Sequence, residues 1–126
     1  MAESKTQRGK PWYAGVDRAR RRVLYATFAG WTFDRLRRQL TSPQQVVVAL
    51  SSAEFRLLSA FVDHPNRVLS RDQLLDLTRA PGADVTDRSI DLTVSRLRQK
   101  LDAPNLIRTV RGEGYLFDPN DGGARA

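Results

Sequence analysis

The 126 residues contain no cysteine, which excludes disulfides and thiolate metal sites. The one histidine, His64, has no Cys, His or carboxylate partner at a ligand or triad spacing, so neither a metal nor a His-centred catalytic role is expected. No apolar run approaches the roughly 18 residues that a membrane span needs, so no membrane association is expected. The first residues are polar and basic and lack the apolar centre of a secretory signal, which makes the cytoplasm the expected compartment. No glycine loop of the phosphate-cradling kind is present; Arg111-Gly112-Glu113-Gly114-Tyr115 reads as a hairpin turn. With no convergent acid, base or nucleophile, an enzyme is not expected and no cofactor is implied.

Positive charge is what the chain does have. A formal net charge of +7, with 28% charged and 40% hydrophobic residues, describes a globular domain suited to a polyanionic partner. The charge is unevenly placed. Residues 1–22 hold seven Lys/Arg against Glu3 and Asp17, a net of +5, which leaves 14 basic and 12 acidic residues, a net of +2, for the rest. The stretch 1–22, with Gly9, Pro11 and Gly15 and no sustained period, reads as a flexible basic linker or arm. Its Arg18–Arg22 cluster suits a solvated tether better than a specific phosphate contact, while Trp12 and Tyr13 are aromatic enough to dock. With so little net charge left, the remainder must sort its cations onto one side. Arg88, Arg96, Arg98, Lys100, Arg108 and Arg111, set against Asp91, Asp102 and Glu113, do this in the last third.

Four short strands are expected first, at 23–28, 31–34, 38–41 and 46–50, rich in β-branched and aromatic residues and separated by Ala29-Gly30 and Ser42-Pro43-Gln44-Gln45. Phe28, Trp31, Phe33, Leu40, Val46, Val48 and Leu50 are the expected inward set, and Trp31 with Phe33 suits core packing better than a base-stacking platform. Ser51-Ser52-Ala53-Glu54 is a capping box that opens a helix ending before Pro65. Val68-Leu69 is a minimal strand. Ser70-Arg71-Asp72-Gln73 is a second capping box, opening a helix with Leu74, Leu75 and Leu77. Thr86 is the expected N-cap of a third, longer helix. Leu106–Val110 and Tyr115–Phe117 then form a hairpin, and residues 119–126 are expected to fray.

The third helix carries the functional argument. Ile90, Val94, Leu97 and Leu101 share one stripe, while Arg88, Leu92, Ser95, Arg96 and Gln99 share the opposite face, flanked by Thr93 and Arg98. Guanidinium forks match phosphate oxygens and the guanine edge, hydroxyls reach either, and Leu92 suits a thymine methyl. Arg98, nearer the core side, suits a phosphate, and Asp91 suits a local partnership with a neighbouring Arg. Two capped helices, the second of them basic and amphipathic, followed by a hairpin describe an α+β winged helix-turn-helix with an N-terminal antiparallel four-stranded sheet over 23–118. Its last helix would enter the major groove, and Arg111 would sit at the tip of the wing by the minor groove. Protein–protein use of the winged helix is the main competing expectation. RNA is disfavoured because such a helix cannot read the narrow major groove of A-form duplex.

The stretches LSSAEFRLLSAFVDHPNRVLSRDQLLDL, RSIDLTVSRLRQKL and LIRTVRGEGYLF resemble the DNA-binding effector domain of OmpR/PhoB-type bacterial response regulators, over about residues 23–118. The resemblance implies sequence-specific DNA binding and transcription regulation in a two-component system. It implies contacts from Arg88, Leu92, Thr93, Ser95, Arg96 and Arg98 on the helix and from Thr109 and Arg111 on the wing. Promoter direct repeats bound by a head-to-tail homodimer are the implied partners, with RNA polymerase meeting the loop from Leu77 to Asp87. Family members carry a phosphorylated receiver domain ahead of this unit. No such α/β half precedes residue 23, which leaves open a C-terminal fragment with its linker or a chain that stands alone. The connection Leu101–Leu106 is shorter than the family's usual one into the wing.

Overall fold

The computed structural model describes residues 13–20, 22–79 and 87–119. Five strands open the domain: β1 (Tyr13–Asp17), β2 (Arg22–Phe28), β3 (Trp31–Asp34), β4 (Gln39–Thr41) and β5 (Val47–Val48). They form one antiparallel sheet in sequence order. Helices α1 (Ser52–Asp63), α2 (Arg71–Thr78) and α3 (Asp87–Leu101) follow, with β6 (Val68–Leu69) between the first two. The chain then turns through β7 (Ile107–Val110) and β8 (Gly114–Phe117), and β8 lies between β6 and β7 in a second, three-stranded sheet. The expected α+β winged helix-turn-helix is therefore the fold.

The first correction concerns the N-terminal sheet, which has five strands where four were expected. Residues 13–17, assigned above to a linker, pair with β2 in the register Tyr13↔Ala26 to Asp17↔Arg22. The reason is local. Asp17 accepts from Arg20 N–H at 3.3 Å and from Arg20 Nη1 at 3.0 Å, closing a tight turn that returns the chain onto itself. Those bonds, the backbone one first, hold the Asp17 carboxyl below its ordinary range. The part of the Arg18–Arg22 cluster that is described is thus a hairpin turn and a strand start rather than a tether. Residues 1–12 of the expected arm, including Trp12, lie outside the described residues, as do 120–126 of the expected frayed tail. Pro119, the first residue of that tail, is buried.

Both capping boxes form reciprocally. Ser51 Oγ accepts from Glu54 N–H while Glu54 Oε1 accepts from Ser51 N–H, and Ser70 and Gln73 repeat the exchange on α2. The stripe Ile90, Val94, Leu97 and Leu101 is fully buried, which fixes how α3 is rotated about its own axis. It packs in one core with Phe28, Trp31, Phe33 and Leu40 from the first sheet, Leu57, Leu58, Phe61 and Val62 from α1, and Ile107, Tyr115 and Phe117 from the second sheet. Phe117 stands edge-on to Phe28 with ring centroids 5.2 Å apart. Trp31 is core, as expected, and its Nε1–H donates to Leu101 O at 2.9 Å, so the sheet caps the C-terminal end of α3.

Val46 is the second correction: expected inward, it is 57% exposed. Strand β5 begins only at Val47. Val46 is held instead by Ser42, through Ser42 N–H to Val46 O at 2.8 Å and Val46 N–H to Ser42 Oγ at 3.1 Å. Val48 and Leu50 pack partly buried against the core.

Candidate nucleic-acid interface

Burying one stripe of α3 forces the opposite one outward. Leu92, Ser95, Arg96 and Gln99 are all exposed, and Leu92 at 49% is unusually open for a leucine. Arg88 belongs to the same helix; its side chain lies outside the described residues, as does the expected cap Thr86. Thr93 is half-buried, and its Oγ1 donates to Ser89 O at 2.7 Å, one turn back. Its hydroxyl proton is thus used inside the helix, leaving Thr93 an acceptor toward anything outside.

Arg98 and Thr109, expected as separate contacts, meet each other. Arg98 Nε donates to Ile107 O at 2.8 Å and Nη2 donates to Thr109 Oγ1 at 2.8 Å. The guanidinium also lies 5.4 Å from the centroid of the Tyr115 ring. This side chain therefore clamps β7 to the helix. Arg111 is exposed in the β7–β8 turn, and Thr109 is exposed two residues before it in β7. Arg108 is ion-paired with Asp118 across the same sheet.

Asp91 takes the local role expected of it, with a longer reach than expected. Its Oδ1 accepts from Arg71 Nε at 2.8 Å and from the Tyr115 hydroxyl at 2.5 Å, so a single carboxylate joins α2, α3 and β8. The Arg71 bond first, and the Tyr115 bond second, hold its carboxyl below the ordinary range. Burial, followed by the neighbouring Asp91, pushes the Tyr115 phenol up. Arg71, at the first position of α2, was not among the expected site residues. The signal for it was Asp91 itself, an acid on an otherwise cationic helix. At the far end of α3, Lys100 Nζ donates to Glu54 Oε1 at 2.6 Å and to Ala49 O at 2.9 Å. Burial opposes ionisation of Glu54, but the bonds from Lys100 and from Ser51 N–H outweigh it and lower its carboxyl's pKa.

The interface is thus a row of four exposed side chains, held at one end by Glu54–Lys100 and at the other by Asp91–Arg71, with the wing fastened alongside by Arg98. The loop expected to meet RNA polymerase, from Leu77 to Asp87, lies outside the described residues over 80–86. No group of three or more metal-ligating side chains is present among the described residues, nor any helix long and apolar enough to cross a membrane.

The family described as "Transcriptional regulatory protein, C terminal" matches residues 43–117, more than half of the chain. The regulatory protein VirG of Agrobacterium fabrum (strain C58) is 48% identical over 96 residues, covering 73% of this chain and 38% of the relative. The transcriptional regulatory protein RstA of Escherichia coli (strain K12) is 39% identical over 97 residues, covering 74% and 40%. The chain therefore spans less than half the length of these relatives. Among solved structures, the Klebsiella pneumoniae RstA DNA-binding domain in complex with the RstA box superposes with a TM-score of 0.65 at 38% identity, covering 75% of this chain and 97% of that one. The Bacillus subtilis CssR DNA-binding domain gives 0.62 at 29% identity, covering 69% and 98%.

Proposed function

The chain belongs to the family of transcriptional regulatory protein C-terminal domains, of OmpR/PhoB type, and from that membership we propose that it reads a specific double-stranded DNA sequence and regulates transcription as the output domain of a two-component response regulator. The observation that carries the reading is the outward row Leu92, Ser95, Arg96 and Gln99 on a helix whose other stripe is wholly buried. A helix so fixed can enter a major groove only by this row. A relative of the same fold has been captured on its DNA box. Nothing in this reading calls for a catalytic step, and the family is one of DNA-binding regulators rather than enzymes.

Within that function, Arg96 and Arg88 supply base-edge or phosphate contacts, Ser95 adds a hydrogen bond, Thr93 accepts one, and Leu92 meets a thymine methyl. Arg111 enters the minor groove or meets the backbone there. Arg98 meets a phosphate and Thr109 contacts the DNA from the wing, while the bond between them fixes the wing to the helix. The natural target is a direct repeat in promoter DNA occupied by two copies head to tail. Control comes from a phosphorylated receiver domain, RNA polymerase is met through the loop 77–87, and the cytoplasm is the place of action.

Selection of duplexes from a random pool tests the function. A recovered direct repeat, bound at least about 10³-fold tighter than a scrambled duplex at the same salt, is the expected result. Binding that is indifferent to sequence and explained by its salt dependence alone would point to a protein partner for this winged helix.

A further inference from the structure

A second concentration of basic side chains lies apart from α3 and the wing. A cleft of about 460 Å³ opens between the β1–β2 turn, the segment after β3, α1 and the end of α2, and five arginines line it: Arg20, Arg22, Arg35, Arg56 and Arg79. They arrive from four separate parts of the chain. One carboxylate, Asp63, also lines the cleft, and it is already engaged, accepting from Arg35 Nη1 at 2.7 Å and from Val23 N–H at 3.0 Å. Arg20 and Arg79 pair with Asp17 and Asp76 of their own segments, but both arginine side chains are largely exposed, so those pairs exchange readily with an incoming anion. Arg56 donates from Nε to Thr78 O at 2.9 Å, and Arg22 has no ion pair among the described residues.

We propose that this cleft binds a compact, multiply charged oxyanion of the phosphate class, of tripolyphosphate size, at a site distinct from the DNA-reading face. Guanidinium forks bond phosphate oxygens in parallel pairs, and their delocalised charge suits a partly desolvated site. The volume falls in the range of small-ligand sites, roughly 300–1,000 Å³. Arginines converging on a concavity favour charge packed into one small group. The single carboxylates of an extended acidic segment are spaced along the chain and suit a flatter surface.

Calorimetric titration of the whole chain with sodium tripolyphosphate, at fixed ionic strength, tests this. One-to-one saturable binding is expected, weakened about tenfold or more by Arg22→Ala. The Arg22 side chain is exposed and has no ion pair among the described residues, so the melting curve of Arg22→Ala should match the parent's and the loss reads on binding alone. Arg96→Ala, on α3, should leave tripolyphosphate affinity within about twofold. A parallel titration with ATP identifies the source of the phosphate chain: tighter binding than tripolyphosphate marks a nucleotide, equal or weaker binding a free polyphosphate, and either supports the site. Absence of saturable binding, or a loss in Arg96→Ala as large as in Arg22→Ala, would overturn it. So would an octaglutamate peptide that binds more tightly than tripolyphosphate with the same dependence on Arg22, since the cleft would then serve an acidic protein segment.

Discussion

Gly112 and Gly114 stand two residues apart in the wing and answer to different constraints. Gly112 has φ +76° and nothing within 4 Å of where a Cβ would stand. Gly112→Ala should therefore cost only backbone strain, about 1–2 kcal/mol. Gly114 has φ +143°, and a Cβ there would lie 2.0 Å from Leu69 O, in the backbone of β6. Neither strand can retreat without giving up the pairs Val68↔Leu116 and Leu69↔Tyr115. Gly114→Ala should cost clearly more, about 3 kcal/mol or above, and urea denaturation of the two variants side by side measures the difference. Both glycines read as turn residues from the sequence. The closeness of β6 did not, because Val68-Leu69 is too short to announce its partner across the intervening helices. A different contrast applies to the exposed arginines. Arg96→Ala should cost about 1–3 kcal/mol on the preferred duplex and relax the preference at one base pair. Arg111→Ala, if it meets phosphate, should weaken all duplexes alike and lower the salt slope by about one. Equal weakening of every duplex by Arg96→Ala would remove it from the base-reading set.

At the scale of elements, α1 is started and stabilised by one residue used twice. Glu54 closes the capping box with Ser51 and also receives Lys100 from the end of α3. Glu54→Gln keeps a side-chain carbonyl for the box, as Gln73 does on α2, and loses the charge. It should cost about 1–2 kcal/mol at neutral pH, between an exposed and a buried pair, because Lys100 is one-third exposed while Glu54 is not. The sign of the pH dependence follows from the lowered carboxyl. The charged form's contribution is present above the unfolded-state carboxylate pKa and disappears as pH falls through the lower folded value. The gap between parent and Glu54→Gln should therefore close as urea titrations move from pH 7 into the acid range, and a gap that stays constant would assign the effect to packing. Arg98 links elements in the same manner. Arg98→Ala and Thr109→Ala should be non-additive in DNA affinity, by about 0.5–1.5 kcal/mol, because they remove the same bond. The capping boxes and the α3 stripe were legible because they depend on near neighbours in sequence. Lys100 meeting Glu54, Arg71 meeting Asp91, and the clamp from Arg98 to Ile107 were not, because they exist only once the core has brought distant segments together. Strand β1 was hidden for another reason: Gly15 and the Arg18–Arg22 run carry the composition of a tether, while the decisive Asp17 turn is a single residue.

For the whole molecule, the proposed head-to-tail pairing of two copies on DNA is constrained by the fixed rotation of α3. Its buried stripe permits only one outward row, so each copy must approach its half-site from one side of the duplex. Two copies bound head to tail can touch only when their half-sites face the same way, at a spacing of about one helical turn, ~10–10.5 base pairs. The net charge of +7 adds a sequence-independent attraction that holds each copy near the duplex but cannot align it. Pairing on DNA should therefore depend on phase rather than on distance alone. Inserting about five base pairs between the repeats, half of that turn, should rotate one half-site to the far side and abolish cooperative occupancy, while single-site affinity stays unchanged. Inserting about ten should restore the facing but set the copies roughly 34 Å further apart, so contact between the folded domains, and with it cooperativity, should not return. Band-shift titration on the three spacings reads this directly, as the ratio of doubly to singly occupied duplex. Cooperativity that survives the half-turn insertion would show that the copies associate through a flexible segment, and the head-to-tail contact between folded domains would be ruled out.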